Sequence, residues 1–217
     1  MIKNIIFDFD GTLFDTSEGI EYCLNYTLNK KGRIEAANKN MNSIIGRPLF
    51  EVFRFLLPDE DDNFLKECAK IFRKEYKKNL LIIKPFKNVK KLLLQLRRDG
   101  KKTVIVSNKP KSYIKKILQA FSLLEFFDYI EAPKINDFIY SKNDLLKSTI
   151  KKLGLRRKET IMIGDRAEDV LVAKLNKIKS IGVTFGFGSR RELEEAGADL
   201  IIDKIDLKQI SSFYIGY

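Results

Sequence analysis

Residues 4–16, NIIFDFDGTLFDT, decide how the chain is read. Ile5, Ile6 and Phe7 form a short apolar run that stops abruptly at Asp8, Phe9, Asp10 and Gly11. An all-apolar run of that length, ended by turn residues, reads as a strand buried on both faces. Gly11 lets the backbone leave the strand sharply and come close to a ligand. Two carboxylates therefore stand two residues apart at the mouth of a core strand, where ligands of open α/β sheets bind. An acidic turn with no further role would look the same in isolation, because Asp and Gly are common turn residues. Two other strands end in a comparable way. Val104, Ile105 and Val106 run into Ser107 and Asn108, and Ile161, Met162, Ile163 and Gly164 run into Asp165. If the three are parallel neighbours, Asp8, Asp10, Ser107 and Asp165 converge on one spot.

The rest of the chain supports that sheet. From residue 84 onward strands alternate with helices. Val89–Arg98 is an amphipathic helix closed by Gly100, and Lys102–Val106 is a strand. Pro110 opens a helix, and Phe126–Ile130 leads to a short strand near Ala132. Lys142–Leu153 is a helix stopped by Gly154. Thr160–Ile163, Ser180–Val183 and Leu200–Ile202 are strands, with a helix over Ala167–Asn176. Ser189 and Glu192 form a capping box for a helix running to Ala196. This alternation predicts a doubly wound parallel sheet, an α/β Rossmann-like core. Between residues 16 and 80 no strand pattern occurs. Helices are predicted over Thr16–Lys31, Leu49–Leu57 and Glu60–Lys78, and residues 33–47 are mixed and polar. The expected organisation is a core of residues 1–15 and 84–217 interrupted by an all-helical cap of residues 16–83, with hinges at Phe14–Thr16 and Ile83–Pro85.

Composition narrows the chemistry. The 217 residues are 44 % hydrophobic and contain no histidine, so mechanisms that need imidazole, including Ser-His-Asp hydrolysis and histidine-ligated zinc, are excluded. Proton transfer falls to carboxylates, lysines or tyrosines. The net charge of +12 comes from scattered lysines without a nucleic-acid-binding tract. It reads as solvated helix faces whose field favours a small anionic substrate, not as a nucleic-acid or membrane partner. Cys23 and Cys68 lie in helical patterns as free buried thiols, which fits a reducing cytoplasm. Met1 leads almost directly into the first strand, leaving no room for a signal peptide, and no apolar run approaches the ~18 residues of a membrane helix.

Clustered carboxylates without histidine suit a hard cation, and Mg²⁺ binds through one or two carboxylates, waters and substrate phosphate oxygens. Asp8, Asp165 and Asp169 supply the negative shell. One acid of the 8/10 pair stays ionised as a nucleophile. Asp10 gives a proton to the leaving oxygen and later takes one from water. The Ser107 hydroxyl and the backbone N–H groups of residues 9–11 hold phosphoryl oxygens, and a lysine neutralises developing charge.

The stretches FDFDGTLFDT (7–16), VIVSNK (104–109) and IMIGDRAED (161–169), in this order and spacing, resemble the motifs of the haloacid dehalogenase superfamily, specifically its phosphatases with a helical cap. The segment SIGVTFGFGSRRELEEAGADLII (180–202) resembles the phosphoglycolate phosphatase-like branch. The resemblance implies Asp8 as the phosphorylated nucleophile. It implies Asp10 as general acid/base whose main-chain carbonyl joins the metal, and Ser107 as the phosphate-binding hydroxyl. Asp165 becomes a metal ligand, and Asp169 orients metal-bound water and the lysine. Gly11, Thr12 and Asn108 line the substrate. Relatives often carry the lysine in a Lys-Pro pair. None occurs near 133–145, and Lys142, at a predicted helix start, is chosen over Lys134. Ile45-Gly46-Arg47-Pro48-Leu49 resembles the cap loop that closes over the site, where Arg47 is either a grip for a substrate carboxylate or second phosphate or a solvated surface arginine. Arg166, after the Gly-Asp pair, faces either solvent or a cap acid.

The expected activity is Mg²⁺-dependent hydrolysis of a small phosphorylated metabolite, by a monomer or homodimer. A β-phosphoglucomutase-type phosphomutase and a non-catalytic binding protein on the same scaffold are the alternatives. The Gly-Thr-Leu after the acids favours hydrolysis, and the full set of acids disfavours a silent scaffold.

Overall fold

A computed structural model describes residues 1–38, 44–135, 137 and 140–215. The predicted polar stretch 33–47 is thus described only at its ends. In chain order the elements are β1 (Asn4–Phe7), β2 (Phe14–Asp15), α1 (Ser17–Lys30), α2 (Leu49–Leu56), α3 (Asp62–Lys78), β3 (Lys84–Pro85) and α4 (Val89–Arg98). Then come β4 (Lys102–Val106), α5 (Lys111–Ala120), β5 (Tyr129–Glu131), α6 (Lys142–Lys152), β6 (Thr160–Gly164) and α7 (Ala167–Leu175). β7 (Lys179–Val183), α8 (Arg190–Ala196), β8 (Leu200–Ile202) and α9 (Leu207–Ile215) complete the chain. Among the described residues, short 3₁₀ turns lie at Ile34–Asn38, Leu124–Phe126 and Arg157–Glu159.

Six strands form one parallel sheet in the order β5-β4-β1-β6-β7-β8. The predicted strand at residue 5 is its centre. β1 is in register with β4 and β6, Phe7 lying opposite both Ile105 and Ile163. After β4 the chain winds outward to β5, and after β6 it winds the other way to β7 and β8. β1 therefore sits where the winding reverses, the place where such sheets bind ligands.

The apolar run is explained by burial on both faces. Ile5 and Phe7 join one apolar cluster with Leu93, Leu96, Ile114 and Ile117 of α4 and α5. Ile6 faces the opposite cluster with Leu146 and Ile150 of α6 and Val172 and Ala173 of α7. Helices thus cover each side of the sheet, as a wholly apolar strand requires. The first cluster continues without a break into Leu24 and Leu28 of α1, Phe53 of α2 and Leu65 and Phe72 of α3.

The helical stretch leaves and rejoins the sheet region through paired backbone. β2 and β3 run antiparallel, with Phe14 opposite Pro85 and Asp15 opposite Lys84. The sequence marks these residues as hinges but does not reveal the ribbon. A two-residue strand has no periodicity, and Pro85 lacks the donor a strand normally offers. The neighbouring Phe86 N–H donates to Leu13 O at 3.0 Å instead. Helix α9 also lies beyond the elements predicted from sequence.

Local capping chemistry moves some predicted boundaries. α3 begins after Asp61 rather than at Glu60, because the Asp61 carboxylate accepts from Phe64 N–H at 2.8 Å. The capping box at α8 is only half formed. Ser189 Oγ accepts from Glu192 N–H at 3.1 Å, but the Glu192 carboxylate turns to Ala167 N–H at 2.8 Å and Arg166 Nε at 3.2 Å. A charge-assisted pair with a guanidinium outweighs the return bond of the box.

Candidate active site

The turn after β1 closes tightly on itself. Gly11 has φ of +80°, and its N–H donates to Phe14 O at 2.8 Å. Asp8 extends the ladder one residue, its N–H donating to Ile163 O at 2.9 Å. Asp8 is thereby fixed beside the end of β6. Two residues beyond Ile163, Asp165 leaves the sheet, and Asp169 occupies the first turn of α7. Its carboxylate accepts from Arg166 N–H at 3.1 Å, which holds it at the helix start. Reactive oxygens of Asp8, Asp165 and Asp169 all lie within 4.8 Å of one another, and the three residues are buried.

Lys142 binds this group together. As the first residue of α6 it enters from the same end of the sheet, and its side chain is buried. Nζ lies 2.7 Å from Asp8 Oδ1 and 2.6 Å from Asp169 Oδ1. Its rival Lys134 is exposed. Burial alone would push the Lys142 ammonium toward neutrality, but the charges of Asp169 and Asp8 outweigh it and hold its pKa well above the ordinary lysine value.

The carboxylates are under the opposite pressure. Burial, followed by the charges of Asp169 and Asp165, raises the pKa of Asp8 well above the usual carboxylate range despite Lys142. Burial and the charge of Asp169 push Asp165 up to about 7. The Phe187 N–H, 2.8 Å from Oδ2, and the Thr12 hydroxyl, 3.0 Å from Oδ1, offset only part of that. Three carboxyl groups face one ammonium in a buried space, and this oxygen-only, acid-rich donor set fits a hard cation.

Glycines leave the room these acids occupy. A Cβ at Gly11 or Gly186 would strike the Asp165 carboxylate, and one at Gly164 would strike Asp169. Sequence reading had no signal for Gly164 and Gly186, because their constraint comes from side chains distant in the chain.

Ser107 lies one residue past β4, buried, its N–H donating to Glu131 O at 3.3 Å and its Oγ accepting from Lys109 N–H at 3.3 Å. Thr12, expected to line substrate, spends its hydroxyl on Asp165. Asn108 donates from Nδ2 to Gly46 O at 3.0 Å and to Glu168 Oε2 at 2.9 Å. Its Oδ1 is buried without a partner among the described residues. Arg47 is exposed, with its guanidinium 5.5 Å from the Phe55 ring centre. Arg166 pairs with Glu192 of α8 and donates to Phe187 O at 3.2 Å.

Asp10 is paired as well. Lys109 Nζ donates to its Oδ1 at 2.9 Å and to the Tyr76 hydroxyl, from α3, at 2.7 Å. The sequence singled out neither Lys109 nor Tyr76. One lysine among many and one aromatic on a core stripe carry no individual signal. Asp10 and Lys109 open on a cavity of about 710 Å³, counting its mouth, between the sheet end and the helices. Ile20, Leu24, Val52 and Phe72 supply its apolar wall, and Arg47, Arg73 and Asn108 its polar points.

The profile of the haloacid dehalogenase-like hydrolases matches residues 5–183. The chain is 30% identical over 191 residues to a 5'-nucleotidase of Pseudomonas aeruginosa, covering 88% of this chain and 86% of that protein. It is 30% identical over 188 residues to a phosphoglycolate phosphatase of Aquifex aeolicus, covering 86% of each. The crystal structure of a predicted phosphatase from Clostridium acetobutylicum superposes with a TM-score of 0.90 at 30% identity, covering both chains completely.

Proposed function

The chain belongs to the haloacid dehalogenase-like hydrolases, and from that premise we propose that it is a Mg²⁺-dependent phosphatase of a small phosphorylated metabolite, of phosphoglycolate-like size, acting through an aspartyl phosphate on Asp8. The observation that carries this reading is Lys142 Nζ bridging Asp8 and Asp169, with Asp165 alongside, at the carboxyl end of the central strand. A buried nucleophilic carboxylate, a fixed cation and further acids are the parts that phosphoryl transfer needs.

Asp8, the Asp10 main-chain carbonyl and Asp165 would hold the ion, with Asp169 behind its water; when bound, it supplies positive charge to the phosphoryl oxygens. An Asp8 carboxylate oxygen attacks phosphorus while the bond to the leaving oxygen breaks. Asp10 passes its proton to that oxygen, and the alcohol departs. Water then attacks the phosphorus and gives its proton to Asp10. The bond to Asp8 breaks, and inorganic phosphate leaves. The Lys142 ammonium balances the phosphoryl charge, and the Ser107 hydroxyl donates to a phosphoryl oxygen. Asn108 Oδ1 is an acceptor for a substrate hydroxyl.

In this reading residues 16–83 form a cap over a core of residues 1–15 and 84–217, and Arg47 grips a second anionic group. The reducing cytoplasm suits two buried free thiols, and the active unit is a monomer or homodimer. Among the described residues no helix is long and apolar enough to cross a membrane.

Phosphate release is to be measured over a panel that includes phosphoglycolate, pyrophosphate, nucleoside monophosphates and sugar phosphates, with Mg²⁺ and with chelator. Turnover that requires Mg²⁺ and falls at least ~10³-fold in Asp8→Asn is expected. Release that persists in chelator would sink the proposal. Dependence on a sugar bisphosphate would point to the phosphomutase.

A further inference from the structure

Lys109 is an unusual side chain to find where it lies. Its ammonium is buried, and a buried ammonium is tolerated only with close partners. It has two. One is the Asp10 carboxylate on the turn after β1, and the other is the Tyr76 phenol on α3. Its charge also lies 4.6 Å from the centre of the Tyr76 ring and 5.8 Å from that of Phe9. Burial presses toward the neutral amine, but Asp10 and Tyr76 raise its pKa and keep it an ammonium. Tyr76 is itself immobilised. Its ring stacks on Phe72 at 5.4 Å and lies 5.7 Å from Tyr113. The result is a rigid relay from α3 through Tyr76 and Lys109 to Asp10 Oδ1. The other carboxylate oxygen of Asp10 has no protein partner among the described residues.

We infer that Lys109, anchored by Tyr76, is a positioning residue for Asp10, so that the helical segment sets the orientation of the proton-transferring carboxyl group. The inference rests on the phosphatase reading above. Lys109 pins one oxygen and leaves the other to meet the departing oxygen, and Tyr76 fixes where the ammonium stands. Lys142, in contrast, is held wholly from the sheet side and serves Asp8 and Asp169.

The test separates the proton from the phosphoryl transfer. p-Nitrophenolate leaves without a proton, whereas the alkoxide of glycerol 2-phosphate does not. Single-turnover release of the leaving group is to be followed for both substrates with Mg²⁺. Lys109→Met should slow release from glycerol 2-phosphate by roughly 100-fold and from p-nitrophenyl phosphate by less than about fivefold, with KM little changed. Tyr76→Phe keeps the ring packing and removes only the hydroxyl. It should show the same split at about tenfold. The double variant should be no slower than Lys109→Met, because Tyr76 acts through Lys109. Lys109→Arg should restore part of the alkyl rate. Equal losses on both substrates, additive losses in the double variant, or unchanged rates would each overturn the inference while leaving the phosphatase reading intact. A wild-type protein that turns over neither these two substrates nor any phosphate of the panel above would remove both.

Discussion

The two walls of the cavity differ in how they hold their charges. At the sheet end, Asp8, Asp165, Asp169 and Lys142 are buried and pinned by one another, by the Phe187 N–H and by the Thr12 hydroxyl. All of these come from the carboxyl end of one sheet: the loops after its strands and the first turns of α6 and α7. On the facing side, α1, α2 and α3 present mainly apolar surface. Arg47 is exposed near the rim, and Arg73 donates to Asp137 O at 3.1 Å. Among the described residues, side-chain hydrogen bonds join this wall to the sheet side from Lys109 Nζ to the Tyr76 hydroxyl, from the Tyr113 hydroxyl to Arg73 O and from Asn108 Nδ2 to Gly46 O. In the proposed function the reaction would be set by this buried, preorganised cluster, and selectivity by the more apolar wall that faces it.

The sharpest challenge to that division is Lys142→Met. It leaves three buried carboxylates with no cation between them, and losing one member of a buried ion pair costs about 3–5 kcal/mol. Phosphate release should fall by roughly 10³-fold, more than for any single substitution on α1, α2 or α3. Comparable losses from the helical wall would erase the distinction.

Gly11→Ala should come next. The position has φ of +80°, and a Cβ would run into the Asp165 carboxylate. A loss of about 1–3 kcal/mol in urea unfolding is expected, with activity reduced. An unaffected variant would mean that the cluster is less rigid than its packing implies.

Arg47→Ala should act on selectivity alone. KM for phosphoglycolate, which carries a second anion, should rise roughly tenfold, while p-nitrophenyl phosphate changes little. Equal effects on both would place Arg47 outside substrate recognition.

The smallest effect concerns Cys23 on α1, beneath the helical wall. Burial, then the charge of Glu75, pushes its thiol up to about 12. A raised thiol pKa contributes stability that is present in full below the unfolded value of about 9 and is lost as pH rises toward 12. Native protein should therefore resist iodoacetamide at pH 8, and its urea midpoint should fall above pH 9. Rapid alkylation at pH 8, read by mass spectrometry, would show that the helices open often.

Much of this was legible before folding. The stretch 4–16 identifies a strand buried on both faces, and Asp8 and Asp165 could be gathered because each follows an apolar run at the same end of a parallel sheet, whereas Asp169, inside the next helix, joined them through the family resemblance. Lys142 is also recoverable, since a helix following a strand begins at that end. Lys109 and Tyr76 were not. Their importance is a matter of burial and of who faces whom, and neither leaves a period in the chain. Arg166 was undecidable for the same reason, because its partner Glu192 lies 26 positions away in a helix whose cap it disrupts.

The order of apolar and polar residues along the chain was sufficient to predict a parallel sheet, a first strand buried on both faces and acids at the strand ends, because strand burial and turn chemistry are local. Which ammonium serves which carboxylate was decided only when the chain closed, because an ion pair between residues 99 or 134 positions apart depends on distance in space and on exclusion of water.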